Sequence, residues 1–186
     1  MRVFFPLVAL CLLASACDST PDPRQTNFIV KKDYVTARYD DKSGRLKKLE
    51  VDLNKNGVMD TWQYMDGTRV DRIEIDKDEN GKIERWEHYK DGKLESVGSS
   101  SRGDGVEDEW AFPGPTGILL RVEADTDRDG KVDKWSTYEP SSQAGVAPVL
   151  RSVDLDPDAN GRPTRRLLYR ADGSFERSEM MNNSAK

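Results

Sequence analysis

Oxygen-bearing side chains recur at fixed spacing in the stretch from Val122 to Tyr138, VEADTDRDGKVDKWSTY. With Asp125 as position one, Asp127, Asp129, Gly130, Asp133 and Trp135 fall at three, five, six, nine and eleven. Ca²⁺ takes roughly six to eight oxygen ligands. A loop with side-chain oxygens at one, three and five, a main-chain carbonyl at seven and an acid further on wraps one such ion, and Gly at six permits the sharp bend. The same grid is complete at Asp52, Asn54, Asn56, Gly57, Asp60 and Trp62, and again at Asp76, Asp78, Asn80, Gly81, Glu84 and Trp86. A further copy keeps Asp104, Gly105, Asp108 and Trp110 but has Ser100 and Arg102 at one and three, and is expected to have lost its ion. The last copy keeps Asp156, Asp158, Asn160 and Gly161, with Thr164 at nine and Arg166 where the others have tryptophan.

The first positions lie at 52, 76, 100, 125 and 156, which are intervals of 24, 24, 25 and 31 residues. Periods of this size mark an array of supersecondary units. The long last interval holds a turn-forming insertion, Pro140 to Pro148, PSSQAGVAP. Apolar residues stand three positions before each loop: Leu49, Ile73, Val97, Val122 and Val153. Val51, Ile75 and Leu155 add another at minus one, so the pattern alternates as strands do. Only eight residues separate Gly67 from Asp76, too few for a stable helix. The spacing therefore predicts two strands per repeat, joined alternately by an acidic loop and a tight turn. The expected fold is all-β, an antiparallel meander of hairpins of about 24 residues each, open or curled, with barrel or propeller-like closure as the alternative. One tryptophan per unit anchors the packing on one face, as an indole stripe between neighbouring hairpins.

Composition agrees with an array. The 186 residues are 35% hydrophobic and 34% charged, which argues against a thick core and for units that cover only their neighbours. The formal net charge is −5 and no basic stripe is present, so nucleic acid is not an expected partner. The sole histidine is His88, and no nucleophile motif or phosphate loop occurs, so no enzyme activity is expected.

The pattern DxDxDGxxD resembles the calcium loops of thrombospondin type 3 and dockerin repeats, and its setting between strands is similar to the loops of integrin-type propellers. The likeness covers about nine residues per unit. It implies calcium ligands Asp125, Asp127, Asp129 and Asp133 with the Lys131 carbonyl. It likewise implies Asp52, Asn54, Asn56 and Asp60 with the Val58 carbonyl, and Asp76, Asp78, Asn80 and Glu84 with that of Lys82. Asp156, Asp158 and Asn160 form the partial set. Glu87 at position twelve completes an EF-hand loop pattern in DKDENGKIERWE, but the flanks are too short for the helices of that motif.

At the N-terminus, Arg2, the apolar run Val3 to Leu13 and the small residues Ala14, Ser15 and Ala16 precede Cys17, a pattern of export too short to span a bilayer. LLASAC resembles the lipobox of bacterial lipoproteins, with Ala14 where that family most often has leucine. The likeness implies a signal peptide over 1–16, acylation of Cys17, a tether over 17–27, a repeat domain over 28–181 and a tail over 182–186. The mature chain would hold no disulfide, and bound metal could supply the staple instead. The expected place is the bacterial cell envelope, lipid-anchored in the outer membrane or at the surface; Asp18 resembles the signal retaining enterobacterial lipoproteins in the inner membrane. The expected role is a calcium-stabilised structural or interaction module with a protein or glycan partner. The alternative is an accessory lipoprotein of a larger envelope machine for secretion or gliding motility.

Overall fold

The structure is a computed structural model that describes residues 29–141, 145–158 and 160–181. The expected signal peptide, the tether with Cys17 and the tail lie outside these residues. Among them there are thirteen strands and no helix: β1 Ile29–Lys32, β2 Val35–Tyr39, β3 Leu46–Val51, β4 Thr61–Asp66, β5 Arg69–Ile75, β6 Arg85–Lys90, β7 Lys93–Ser99, β8 Glu109–Pro113, β9 Leu119–Ala124, β10 Lys134–Glu139, β11 Val149–Leu155, β12 Arg165–Tyr169 and β13 Phe175–Met180. All pair antiparallel in the order of the chain, in a single sheet. Each strand touches only its neighbours in sequence, so the meander stays open and neither barrel nor propeller closure occurs. Without helices beside the loops, the EF-hand pattern around Asp76 is not an EF-hand.

Two kinds of connection alternate. Turns of varied length lead from even to odd strands, the tight one at Asp91 and Gly92 having φ values of 51° and 74°, those of a hairpin turn with two left-handed residues. Beside these turns the register slips by one residue at a repeated place: Tyr64/Met65, His88/Tyr89, Phe112/Pro113, Thr137/Tyr138 and Leu168/Tyr169. Such bulges increase local twist. From β3 onward the acidic loops lead from odd to even strands, and no slip occurs beside them.

Register decides the faces. The residues three before each loop line one face, where Leu49, Ile73, Val97, Val122 and Val153 alternate across the sheet with Gln63, Glu87, Ala111, Ser136 and Leu167. The opposite face carries the row Glu50, Trp62, Glu74, Trp86, Gly98, Trp110, Glu123, Trp135, Asp154 and Arg166. The indoles are therefore not stacked on one another. They stand two strands apart, about 9.6 Å, with Glu74 or Glu123 between them and Gly98 between Trp86 and Trp110. Where the fifth tryptophan would stand, Arg166 instead bonds Asp154 through Nε and Nη2 at 2.6 and 2.7 Å.

Enclosure is concentrated at the acidic loops. The buried apolar residues are Ala37, Trp86, Ala124 and Val153, whereas seven aspartates are buried, all of them in the loops. The sheet is thin on both faces, and its loop end is its most closed part.

Candidate metal-binding loops

Positions one and nine of every loop sit where strands end, and the backbone carries them one rung further. Each position-nine amide donates to the carbonyl before its loop: Asp60 to Val51 at 3.0 Å, Glu84 to Ile75 at 3.0 Å, Asp133 to Ala124 at 3.0 Å. From the second loop on, the position-one amide donates to the preceding loop's position-nine carbonyl: Asp76 to Asp60 at 2.9 Å, Asp125 to Asp108 at 2.9 Å, Asp156 to Asp133 at 2.8 Å. Sheet pairing thus draws the acids of successive loops into one column.

The carboxylates then fold the loops. Asp52 accepts from the amides of Asn56 and Gly57 at 3.1 and 2.7 Å, and Asp76 from those of Asn80 and Gly81 at 3.1 and 2.8 Å. Asp125 does the same for Arg128 and Gly130 at 2.6 and 2.9 Å. The position-nine acid accepts from the amide at position two: Asp60 from Leu53, Glu84 from Lys77, Asp108 from Ser101 and Asp133 from Thr126. In the fifth loop position two is Pro157, which has no N–H, and position nine is Thr164 rather than an acid. Gly is required at six because φ there is 98° at Gly57, 84° at Gly81 and 87° at Gly130. Position four is left-handed too, at Lys55, Glu79 and Arg128, a strain that the grid of residue types did not reveal.

Two loops gather enough carboxylates to hold a metal ion. Oxygens of Asp76, Asp78 and Glu84 lie within 4.8 Å of one another, as do those of Asp125, Asp127 and Asp133. Burial, with Asp78 and Asp76 beside it, pushes the Glu84 carboxyl above its usual range, while the hydrogen bond from Glu84 holds Asp78 below its own. Glu84 Oε1 is buried and accepts no hydrogen bond among the described residues. Asp129 stands outside its loop's cluster, ion-paired with Lys131 at 3.4 Å, although its Oδ1 accepts from the Lys131 amide. Val58 and Lys82 occupy position seven, their amides bonded to Asn56 and Asn80 at 2.8 Å. In the first loop Asn54 and Asn56 turn their amide nitrogens to Glu79 of the next loop, at 2.5 and 2.7 Å. A carboxylate from the neighbouring repeat thereby binds the two asparagines of this loop, a contact that no within-loop spacing could have shown.

The loop that lacks its first two acids has a different solution. Arg128, at position four of the next loop, extends its guanidinium to both oxygens of Asp104 and, at 2.7 and 3.2 Å, to Asp108 Oδ2. Hydrogen bonds from Arg128 hold Asp104 well below the ordinary carboxylate range. Burial opposes ionisation of Asp108, but the bonds from Ser101 and Arg128 outweigh it and hold it below as well. An internal cation thus lies against both acids of the loop that was expected to take no metal. In the fifth loop Asp158 and Asn160 are exposed, and Asp156 is 0% exposed. Asp156 Oδ2 accepts from the Arg162 amide at 2.9 Å, and Oδ1 has no partner.

One polar pair went unnoticed in sequence. Glu107 lies across Gly98, between Trp86 and Trp110, and meets His88 Nε2 at 2.6 Å. It restores in space the acid that Gly98 removes from the row. No protein-family model matches this chain, and no curated protein matches it, so the reading of the loops rests on their own geometry and donor chemistry.

Proposed function

We propose that the chain is a lipid-anchored protein of the bacterial cell envelope whose open sheet, stiffened by calcium in its acidic loops, serves as a structural or interaction module. The observation that carries the calcium reading is the pair of three-carboxylate clusters at Asp76, Asp78 and Glu84 and at Asp125, Asp127 and Asp133. Their donors are all oxygen, with neither thiolate nor imidazole, which favours a hard divalent cation. A buried Glu84 oxygen that accepts no hydrogen bond among the described residues and carboxylates crowded at the sheet end are both conditions that such a cation relieves. The envelope reading rests on the LLASAC stretch and on a repeat composition suited to an extended module.

Calcium titration tests the first part. An ion at ten times its dissociation constant adds about 1.4 kcal/mol per site, which for a chain of this size raises the melting temperature by about 3–6 °C. Asp125→Ala combined with Asp127→Ala removes the share of that gain due to its own loop, and a melting curve indifferent to calcium would refute the reading. Cys17→Ser tests the second part: it shifts the expressed protein from the membrane fraction to the soluble one, and unchanged partitioning rejects the lipid anchor.

A further inference from the structure

A cleft of about 540 Å³ opens between the fourth and fifth loops, lined by Thr126, Asp133, Asp156, Leu155, Pro157 and Met180, with Lys134, Arg165, Thr164 and Ser178 completing its wall. One repeat earlier the corresponding place is filled. There Asp108 accepts from the Ser101 amide and hydroxyl, both at 2.8 Å, and still has room for the Arg128 guanidinium at 2.7 Å. Asp133 is built identically: it accepts from the Thr126 amide at 3.1 Å and hydroxyl at 2.7 Å, but among the described residues no guanidinium reaches it. The sequence explains the difference, since position four of the fifth loop is Ala159, whose methyl group has no cation to offer.

The second observation is Asp156. Its side chain is 0% exposed and lines the cleft, yet Oδ1 has no hydrogen-bond partner. A buried carboxylate oxygen without a donor is costly, and native structures supply one. At the preceding junction the equivalent Asp125 Oδ1 receives the Arg128 amide at 2.6 Å. The same residue therefore serves both acids of that junction, one through its amide and one through its side chain.

We infer that this cleft binds a guanidinium cation on an alkyl stem, an arginine side chain presented by a partner, in the place that Arg128 takes one repeat earlier. Asp133 and the free oxygen of Asp156 receive the planar donors, the geometry in which guanidinium pairs best with carboxylate. Leu155, Pro157 and Met180 cover the stem. Of the basic groups in the wall, Arg165 directs Nε to Ser178 Oγ at 2.9 Å, and Lys134 stands on the strand that Asp133 precedes.

The probe is N-acetyl-arginine amide, added in chelator so that the outcome does not depend on calcium. The whole protein should bind it saturably in the millimolar range, with resonance shifts confined to the cleft. N-acetyl-lysine amide should bind several-fold more weakly, and urea, with similar planar donors and no charge, should give no saturable shift. Asp156→Asn and, separately, Asp133→Asn should each weaken binding at least tenfold, while Arg128→Ala leaves it in place. Equal response to urea, unchanged affinity in both asparagine variants, or no saturable binding overturns the inference. A response to calcium with none to the arginine probe overturns it too, and leaves the metal reading standing.

Discussion

Replacing Gly98 by alanine probes how the tryptophan row is closed. Gly98 has no left-handed φ, so an alanine fits its backbone, and in an unobstructed strand the change would stabilise by about 0.4–1 kcal/mol through the unfolded chain. Here the added Cβ would stand 1.8 Å from Glu107 Oε1, 2.5 Å from Cδ and 2.8 Å from Cγ. The whole end of that side chain has to leave, and with it the 2.6 Å contact to His88. A hydrogen bond to a charged group is worth about 1.5–3 kcal/mol. With His88 and Glu107 side chains 31% and 20% exposed, solvent screening reduces this to about 1–2 kcal/mol. The net expectation is a loss of up to about 1.5 kcal/mol, or a melting temperature lower by a few degrees. Urea denaturation in two backgrounds makes the test sharp. Once Glu107→Ala has cleared the space, Gly98→Ala should reverse sign and stabilise. The same sign in both backgrounds would refute the claim that Glu107 occupies the gap.

Other perturbations address the loops. Asp52→Ala strips the acceptor from two amides at a site 3% exposed, and should cost about 2 kcal/mol or more by urea denaturation, whereas Asp52→Asn, which keeps one acceptor, should cost less. Gly130→Ala places a β-carbon at φ 87° with open space around it, so its penalty of about 1–2 kcal/mol is backbone strain alone; a neutral result would contradict the loop conformation. Asp104 and Asp108 are held below their unfolded carboxylate values, so their contribution is complete above pH ~4 and disappears as pH falls through the folded values. Arg128→Ala removes the main cause for Asp104, and the gap in melting temperature between that variant and wild type should accordingly narrow on acidification. A gap that widens toward low pH would show that the arginine acts otherwise.

The architecture was readable from the chain because its signals are local and repeated. Alternation of Leu49 with Val51, or Ile73 with Ile75, selects strands, and the Asp-Gly and Asn-Gly dipeptides say where they reverse. Multiplied across repeats, these cues define a meander in phase with the acidic grid, and the thirteen strands follow it. The donor positions were legible for the same reason, since wrapping an ion within one loop is a short-range requirement. Asp129 shows the limit of that logic: it occupies a ligand position by spacing, yet its side chain turns to Lys131.

Whatever passes between repeats needed the folded sheet. Glu79 facing Asn54, Arg128 lying in the loop before its own, and Glu107 against His88 connect residues 19 to 25 apart, brought together because neighbouring strands lie about 4.8 Å apart and their loops inherit that spacing. Closure was equally a tertiary matter. Hairpin patterns are the same in an open sheet and in a barrel, and only accumulated twist decides whether the first strand meets the last; in this chain β1 and β13 do not pair. Residue types thus determined the strands, the turns and the oxygen donors, all set by interactions within a few residues. Which charge each loop finally faces was decided by the register of the sheet, because that alone sets which neighbour can reach it.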